Sequence, residues 1–329
     1  MKKTFNWGVI GCGNIAQLFA TDVQTIPGAN IYAVASRSLE KAQCFAQANG
    51  AAIALDSYKA LLEIEKLDAV YIATPHVLHA ENSIMCLNAK IPVLCEKPLA
   101  MDTRQVRQMI AAAKSNDTFL MEAMWTRFMP PLGKALEIIN SGAIGELNSV
   151  KADFGFAANF DPEHRLFNPA LGGGSLLDIG IYPVFLALLL LGKPEQIEAS
   201  AVLGKTGVDN ACGILLKFPE DKIAILHSTL MSNTRTEAFI YGSDGYIHIH
   251  SNWFQLTDVS VHLNATDEVQ QFEFEKNSQG YSYEAEEVMR CIAEGKRESE
   301  SMSHAFSLQL IETLDAIRHK AGINYPAID

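Results

Sequence analysis

Short apolar runs alternate with segments of helical spacing through the first third of the chain, and this alternation constrains the fold more than any other feature. Phe5 to Ile10, Ile31 to Ala35, Ala69 to Ala73, Val93 to Cys95 and Phe119 to Glu122 read as strands buried on both faces. Between them Ile15 to Val23, Leu39 to Ala48, a segment capped by Asp56 or Ser57 and running to about Ile64, Leu78 to Ala89 and Thr103 to Ala113 read as helices. Ser38 is a plausible N-cap for the second. Strand and helix in regular succession close as right-handed crossovers on a parallel, doubly wound sheet. Ligands bind such sheets beyond the carboxyl ends of the strands. The loops to read are therefore Gly11–Ile15, Ser36–Arg37, Thr74–His79 and Glu96–Pro98.

From about Trp125 the pattern changes. Pro130 to Asn140 reads as a helix and Ser149 to Phe156 as a strand, followed by a Pro/Asn/Gly-rich stretch from Asn159 to Gly174 and a helix reaching Leu191. Short strands follow near 196–202, 211–218, 223–230, 235–241, 245–250, 257–263 and 269–274, with closing helices at Tyr283 to Glu294 and Ala305 to Lys320. Strand after strand with short turns favours an antiparallel or mixed sheet. A chain of 329 residues fits two domains. The expectation is an α/β architecture: a Rossmann-type doubly wound domain over 1–124, and an α+β domain with a large open, mostly antiparallel sheet over 125–329. The closing helix is expected to pack back on the first domain, and the active site to lie between the two.

Charge narrows the functions. Lys and Arg total 26 against 38 Asp and Glu, a net charge of −12, which repels phosphate backbones and argues against nucleic-acid binding. No apolar run reaches the roughly 20 residues needed to cross a bilayer; the longest, Val184 to Leu191, suits a buried helix, and no membrane role is expected. Met1-Lys2-Lys3 superficially looks like the start of a signal peptide, but the apolar stretch after it is short and runs directly into a glycine motif. The six cysteines form no Cys-x-x-Cys pair, and the nine histidines form no His-Glu-x-x-His pattern; His248 and His250 merely alternate on a strand. A reducing cytoplasm and no metal are expected.

Gly11-Cys12-Gly13-Asn14-Ile15-Ala16 fits Gly-x-Gly-x-x-Ala between the first strand and the first helix. Gly11 permits the tight turn, Gly13 lets a pyrophosphate approach the backbone, and Ala16 lets helix pack closely on strand. Ser36 and Arg37 stand at the end of the second strand, where an NAD-preferring domain usually carries an acid. A guanidinium holds a 2′-phosphate by paired, charge-assisted hydrogen bonds, so NADP is the expected cofactor, with NAD second. Glu96-Lys97-Pro98 ends a parallel strand, and Pro98 keeps Lys97 out of helical geometry. After Gly172-Gly173-Gly174, Asp178 and Tyr182 stand four residues apart on one helical face, with Ser175 close to it.

Together these motifs, with Ala73-Thr74-Pro75 and His79, resemble the Gfo/Idh/MocA oxidoreductase family over essentially the whole chain. Many members carry His where this chain has Tyr182. That tyrosine, with Met124-Trp125-Thr126-Arg127-Phe128 and Arg165-Leu166-Phe167-Asn168-Pro169, is similar to the branch of dimeric dihydrodiol dehydrogenases and NADP-dependent D-xylose dehydrogenases. The resemblance implies an NADP-linked hydride transfer at a secondary or hemiacetal carbon of a small sugar or polyol. It further implies Lys97 and Tyr182 as the catalytic pair, with Asp178 binding or orienting substrate. Thr74, Pro75, His79, Glu96, Trp125 and Arg127 would lie along the cofactor, together with the loop Gly11, Cys12, Gly13, Asn14 and Ile15. A homodimer through the open sheet is implied as well.

The residue types suit that chemistry. Oxidising an alcohol removes a hydride from carbon and a proton from oxygen, so the site needs a base. A phenol ionises near pH 10 in water, and each tenfold increase in its acidity requires about 1.4 kcal/mol of differential stabilisation. Cations beside it supply this. A reductase of another carbonyl compound would use the same residues, whereas a non-catalytic NADP sensor would have no use for Lys97, Asp178 and Tyr182 together.

Overall fold

Residues 4–266, 268–276 and 278–326 are described in the computed structural model of this chain; Met1–Lys3, the charged start resembling a signal peptide, lie outside them. Strands apolar on both faces build the first sheet. In chain order the elements are β1 (Phe5–Ile10), α1 (Asn14–Val23), β2 (Ala29–Ala35), α2 (Leu39–Asn49), β3 (Ile53–Leu55), β4 (Ala69–Ile72), α3 (His79–Asn88), β5 (Val93–Glu96), α4 (Thr103–Ser115) and β6 (Leu120–Ala123). The strands pair in the order β3-β2-β1-β4-β5-β6, all parallel. One expectation fails. The segment after Asp56 forms only a short 3-10 turn, Lys59–Glu63, in which Leu61 alone is buried, so there is no apolar stripe to hold an α-helix. The short strand β3 precedes it and extends the sheet edge beside β2.

The next stretch comprises α5 (Pro130–Asn140), β7 (Leu147–Gly155), α6 (Ile181–Leu191), β8 (Gln196–Leu203), β9 (Asp209–Lys217), β10 (Ile223–Thr229), β11 (Ala238–Gly242), β12 (Gly245–Ile249), β13 (Val259–Leu263) and β14 (Val269–Phe272). Its sheet runs β14-β13-β12-β11-β7-β10-β9-β8, antiparallel except for the β7–β10 pair. Alternation sets its two faces. On β10, Ala224, Leu226 and Ser228 are buried, whereas Ile225 is 53% exposed. Helix α6 covers one face at β7 and β10, and α5 lies over β12 and β13. The helical stretch Pro169–Leu191 is long and apolar enough by length and composition to cross a membrane, which the sequence reading did not anticipate. It is 89% buried over its most apolar part, as a core helix is.

The chain closes with α7 (Tyr281–Ala293) and α8 (His304–Ala321). Two compact units result: Met1–Trp125 with Ser278–Leu308, and Thr126–Asn277 with Gln309–Asp329. A single cut after residue 124 would assign α7 to the second unit. Instead it packs on α1 in the first. The reason is Asp22, a buried carboxylate on α1 that accepts hydrogen bonds from the backbone N–H groups of Gly280 and Tyr281, both at 2.8 Å, and from the Ser278 hydroxyl at 2.8 Å.

Candidate functional site

In the first unit the candidate residues stand on loops at the carboxyl ends of the strands. Gly11 has φ +97°, and a Cβ there would sit 2.6 Å from the Ala73 carbonyl oxygen, so only glycine lets β1 and β4 end side by side. Gly13 has nothing within 4 Å of where its Cβ would be, which leaves its backbone open to a ligand. It caps α1 without a side-chain hydrogen bond, so no side chain occupies the amide donors beginning at Asn14 and Ile15. Cys12 has its thiol pKa raised by burial, against a hydrogen bond with Ser36. Ser36 is buried; Arg37 beside it is exposed and interacts with Tyr58. Ser38 caps α2, as expected, by accepting the Lys41 N–H at 3.3 Å. A cleft of about 500 Å³ opens here, lined by Cys12, Gln17, Ser38, Lys41, Cys44 and Phe45. Lys41 and Tyr58 were not singled out from sequence. Lys41 is one helical turn beyond Arg37 and could have been.

Thr74, Pro75, His79, Glu96 and Lys97 gather on the next two loops. His79 is fully enclosed rather than facing a ligand. Its ring nitrogens lie 2.7 Å from the Pro98 carbonyl oxygen and 2.8 Å from that of Thr74, so it ties the two loops together. Asn82 donates to the Thr74 hydroxyl at 3.3 Å. Glu96 receives the Tyr71 hydroxyl on Oε1 and the Lys97 N–H on Oε2, which fixes the backbone from which half-buried Lys97 projects. The Lys97–Pro98 bond is cis.

Sequence reasoning missed two further carboxyls of this unit. Glu122 accepts the Leu99 N–H at 2.9 Å, and burial pushes its pKa up to about 7. Glu284 is wholly buried and held well above the usual carboxylate range by burial and by the charges of Glu96 and Asp22. Neither carries a local signal, since only the fold brings them beneath the Glu96 loop. Trp125 stacks on Tyr281, ring centroids 4.7 Å apart, a contact made by the Asp22 clamp on α7.

The second unit holds Arg127, Asp178 and Tyr182. The helix expected up to Leu191 begins with a π turn, Leu176–Gly180, before α6. Asp178 is buried and accepts a hydrogen bond from Arg165 at 2.9 Å. Tyr182 is 5% exposed, its ring 5.5 Å from that of Phe154 and 5.3 Å from that of Phe254, which stack on each other at 4.2 Å. Phe254 is brought there when the Thr126 hydroxyl donates to its carbonyl at 2.6 Å. Ser175 does not turn toward Asp178. Its hydroxyl donates to Asp209 Oδ2 at 2.8 Å and lies 3.0 Å from the Ser228 hydroxyl. Asp209 has its pKa pushed up to about 6 by burial, opposed by the bonds from Ser175 and the Leu176 N–H.

A nucleotide-ready glycine loop in one unit and a phenol–carboxylate pair in the other agree with what the chain is similar to. Residues 5–124 match the model of the oxidoreductase family with an NAD-binding Rossmann fold, and 132–248 match the GFO/IDH/MocA C-terminal domain. The trans-1,2-dihydrobenzene-1,2-diol dehydrogenases of Danio rerio and Homo sapiens are 40% and 32% identical; the alignments cover 97% of this chain and 97% and 98% of theirs. A 3-ketoreductase from Actinomadura kijaniata, solved in complex with NADP and TDP-benzene, is 28% identical with a TM-score of 0.87 over 97% of this chain and 98% of that one. An aldose-aldose oxidoreductase from Caulobacter crescentus shares the fold at a TM-score of 0.88 and 24% identity, over 97% and 98% of the two chains. The chain belongs to the Gfo/Idh/MocA oxidoreductase family.

Proposed function

We propose that this protein is an NADP-dependent oxidoreductase acting on a sugar or cyclic diol, of the trans-dihydrodiol dehydrogenase or aldose 1-dehydrogenase type. Tyr182 carries the reading: a phenol held among Phe154 and Phe254, one turn from a carboxylate paired with Arg165. Stacked ring faces suit the C–H face of a sugar or an unsaturated ring, and the adjoining phenol and carboxylate suit its hydroxyls. The named relatives and the NADP complex of the ketoreductase support the same substrate class and cofactor.

The residues present fit NADP. The open backbone at Gly13 suits the pyrophosphate, and exposed Arg37, with Lys41 on the cleft beside it, suits a 2′-phosphate. NADP held by these residues would supply the hydride acceptor or donor for the substrate carbon. Tyr182 moves the proton to or from the substrate oxygen, and Lys97 is the other member of the catalytic pair. Asp178, fixed by Arg165, orients the substrate.

The test is formation of reduced nicotinamide from NADP⁺, with NAD⁺ in parallel, over aldopentoses, aldohexoses, inositols and trans-dihydrodiols. Turnover of one class with NADP⁺ is expected, and silence across the panel despite NADP⁺ binding would discard the substrate class. We also propose a homodimer through the open sheet face, where Leu215 and Ile225 are 41% and 53% exposed. Light scattering that finds a monomer would remove it.

A further inference from the structure

We infer that Asp209 is a positioning residue for this reaction: it fixes the start of the helix that presents Asp178 and Tyr182. The inference rests on the proposed role of Tyr182. Asp209, the first residue of β9, is wholly buried, and its Oδ2 accepts both the Leu176 N–H at 2.7 Å and the Ser175 hydroxyl at 2.8 Å. The preceding residue is shaped to it. Gly174 has φ +126°, and a Cβ there would lie 2.2 Å from Asp209 Oδ1. Ser228 on β10 lies 3.0 Å from the Ser175 hydroxyl at the start of the turn and packs closely against its last residue, where a Cβ on Gly180 would come 2.9 Å from its Oγ. Strands β9 and β10 thus hold the start of the π turn Leu176–Gly180 by hydrogen bonds and crowd its last residue; the turn contains Asp178 and leads directly into Tyr182.

The choice of residue points the same way. A helix start is ordinarily capped by Ser, Thr, Asn or Asp on the segment itself. Here the carboxyl comes from 33 residues away and is buried, with both bonds on Oδ2 and with Oδ1 lacking a hydrogen-bond partner among the described residues, a costly arrangement for a cap alone. A π turn persists only where its surroundings hold it, and such turns recur at functional sites. The arrangement leaves the first helical turn one setting, and with it the direction of Asp178 and Tyr182.

The experiment compares Asp209→Asn, Asp209→Ala and Ser175→Ala in the full chain, reading kcat, KM and NADP⁺ affinity. Misplacing reacting groups by about 1 Å costs on the order of 100-fold, so Asp209→Ala should lower kcat by about that factor while NADP⁺ affinity holds. Asp209→Asn keeps one acceptor and should recover part of the loss. In a Tyr182→Phe background, Asp209→Ala should cost little further, because both act on the same step. Losses that multiply fully in the double variant would overturn the inference, as would unchanged kcat in Asp209→Ala. If Asp209→Ala does not fold, Ser175→Ala decides, since it keeps the Leu176 bond: lowered kcat supports the inference and wild-type kcat overturns it. Full turnover by Tyr182→Phe would sink the proposed function and this inference together. An inactive Tyr182→Phe beside an unaffected Asp209→Ala would sink the inference alone.

Discussion

The two units place their functional groups on different kinds of support. In the first, a parallel sheet covered on both faces ends in loops, and Gly13, Arg37, Thr74 and Lys97 stand on those loops. In the second, a mostly antiparallel sheet carries helices on one face, and Asp178 and Tyr182 sit on a core helix pressed against that sheet. A loop at a strand end presents backbone donors and tolerates variation around a generic ligand, which suits a nucleotide. A helix clamped at its start holds a side chain in one direction, which suits proton transfer. Under the proposed function, the difference teaches that the cofactor half is built for recognition and the other half for alignment.

Substitutions can break that contrast. The largest effect is expected from Tyr182→Phe: turnover should fall by about 10²–10⁴-fold with NADP⁺ affinity held, measured by steady-state rates and cofactor titration. Unchanged turnover would mean alignment is not what the second unit supplies. Next, Arg37→Ala should weaken NADP⁺ by roughly 10–100-fold, the worth of charge-assisted bonds to a phosphate, and leave NAD⁺ nearly unaffected. Equal losses for both cofactors would remove the 2′-phosphate contact. The smallest concerns stability. Because burial lifts Glu122 to about 7 in the folded state, above its unfolded value, its contribution is fully present below about pH 4.5 and is lost as pH rises through 7. Glu122→Gln should therefore gain on the wild type between about pH 5 and 7, by up to about 1.4 kcal/mol per pH unit traversed, and hold that gain above it, in urea midpoints. Parallel pH curves for the two proteins would contradict this.

The same contrast governs what could be read from the chain. The loops of the first unit follow local rules, so Gly11, Gly13, Ser38 and Arg37 were legible from spacing, as was the sheet they end. Asp178 and Tyr182 were legible as a pair. Their supports were not, because Arg165 reaches Asp178 across 13 residues, Asp209 reaches Leu176 across 33 and Phe254 reaches Tyr182 from farther still, and no periodicity records such an approach. The π turn was hidden for the same reason: its shape follows from strands β9 and β10 and leaves no mark in its own residues. The family resemblance set His79 along the cofactor, whereas the carbonyls of Pro98 and Thr74 that enclose its ring leave no mark in the sequence.

The Asp22 clamp has a consequence for how the molecule is made. A ribosome emits the strands of the first sheet early, yet Ser278–Leu308, which completes that unit, emerges only after residues 126–277. Until then the face of α1 that α7 covers is bare, and Asp22 lacks the amides of Gly280 and Tyr281. The nucleotide-binding half therefore begins first and is finished late in synthesis. A nascent chain halted before Ser278 leaves this carboxylate without its amide partners, so the last contact of the first unit forms only after the whole second sheet has been made.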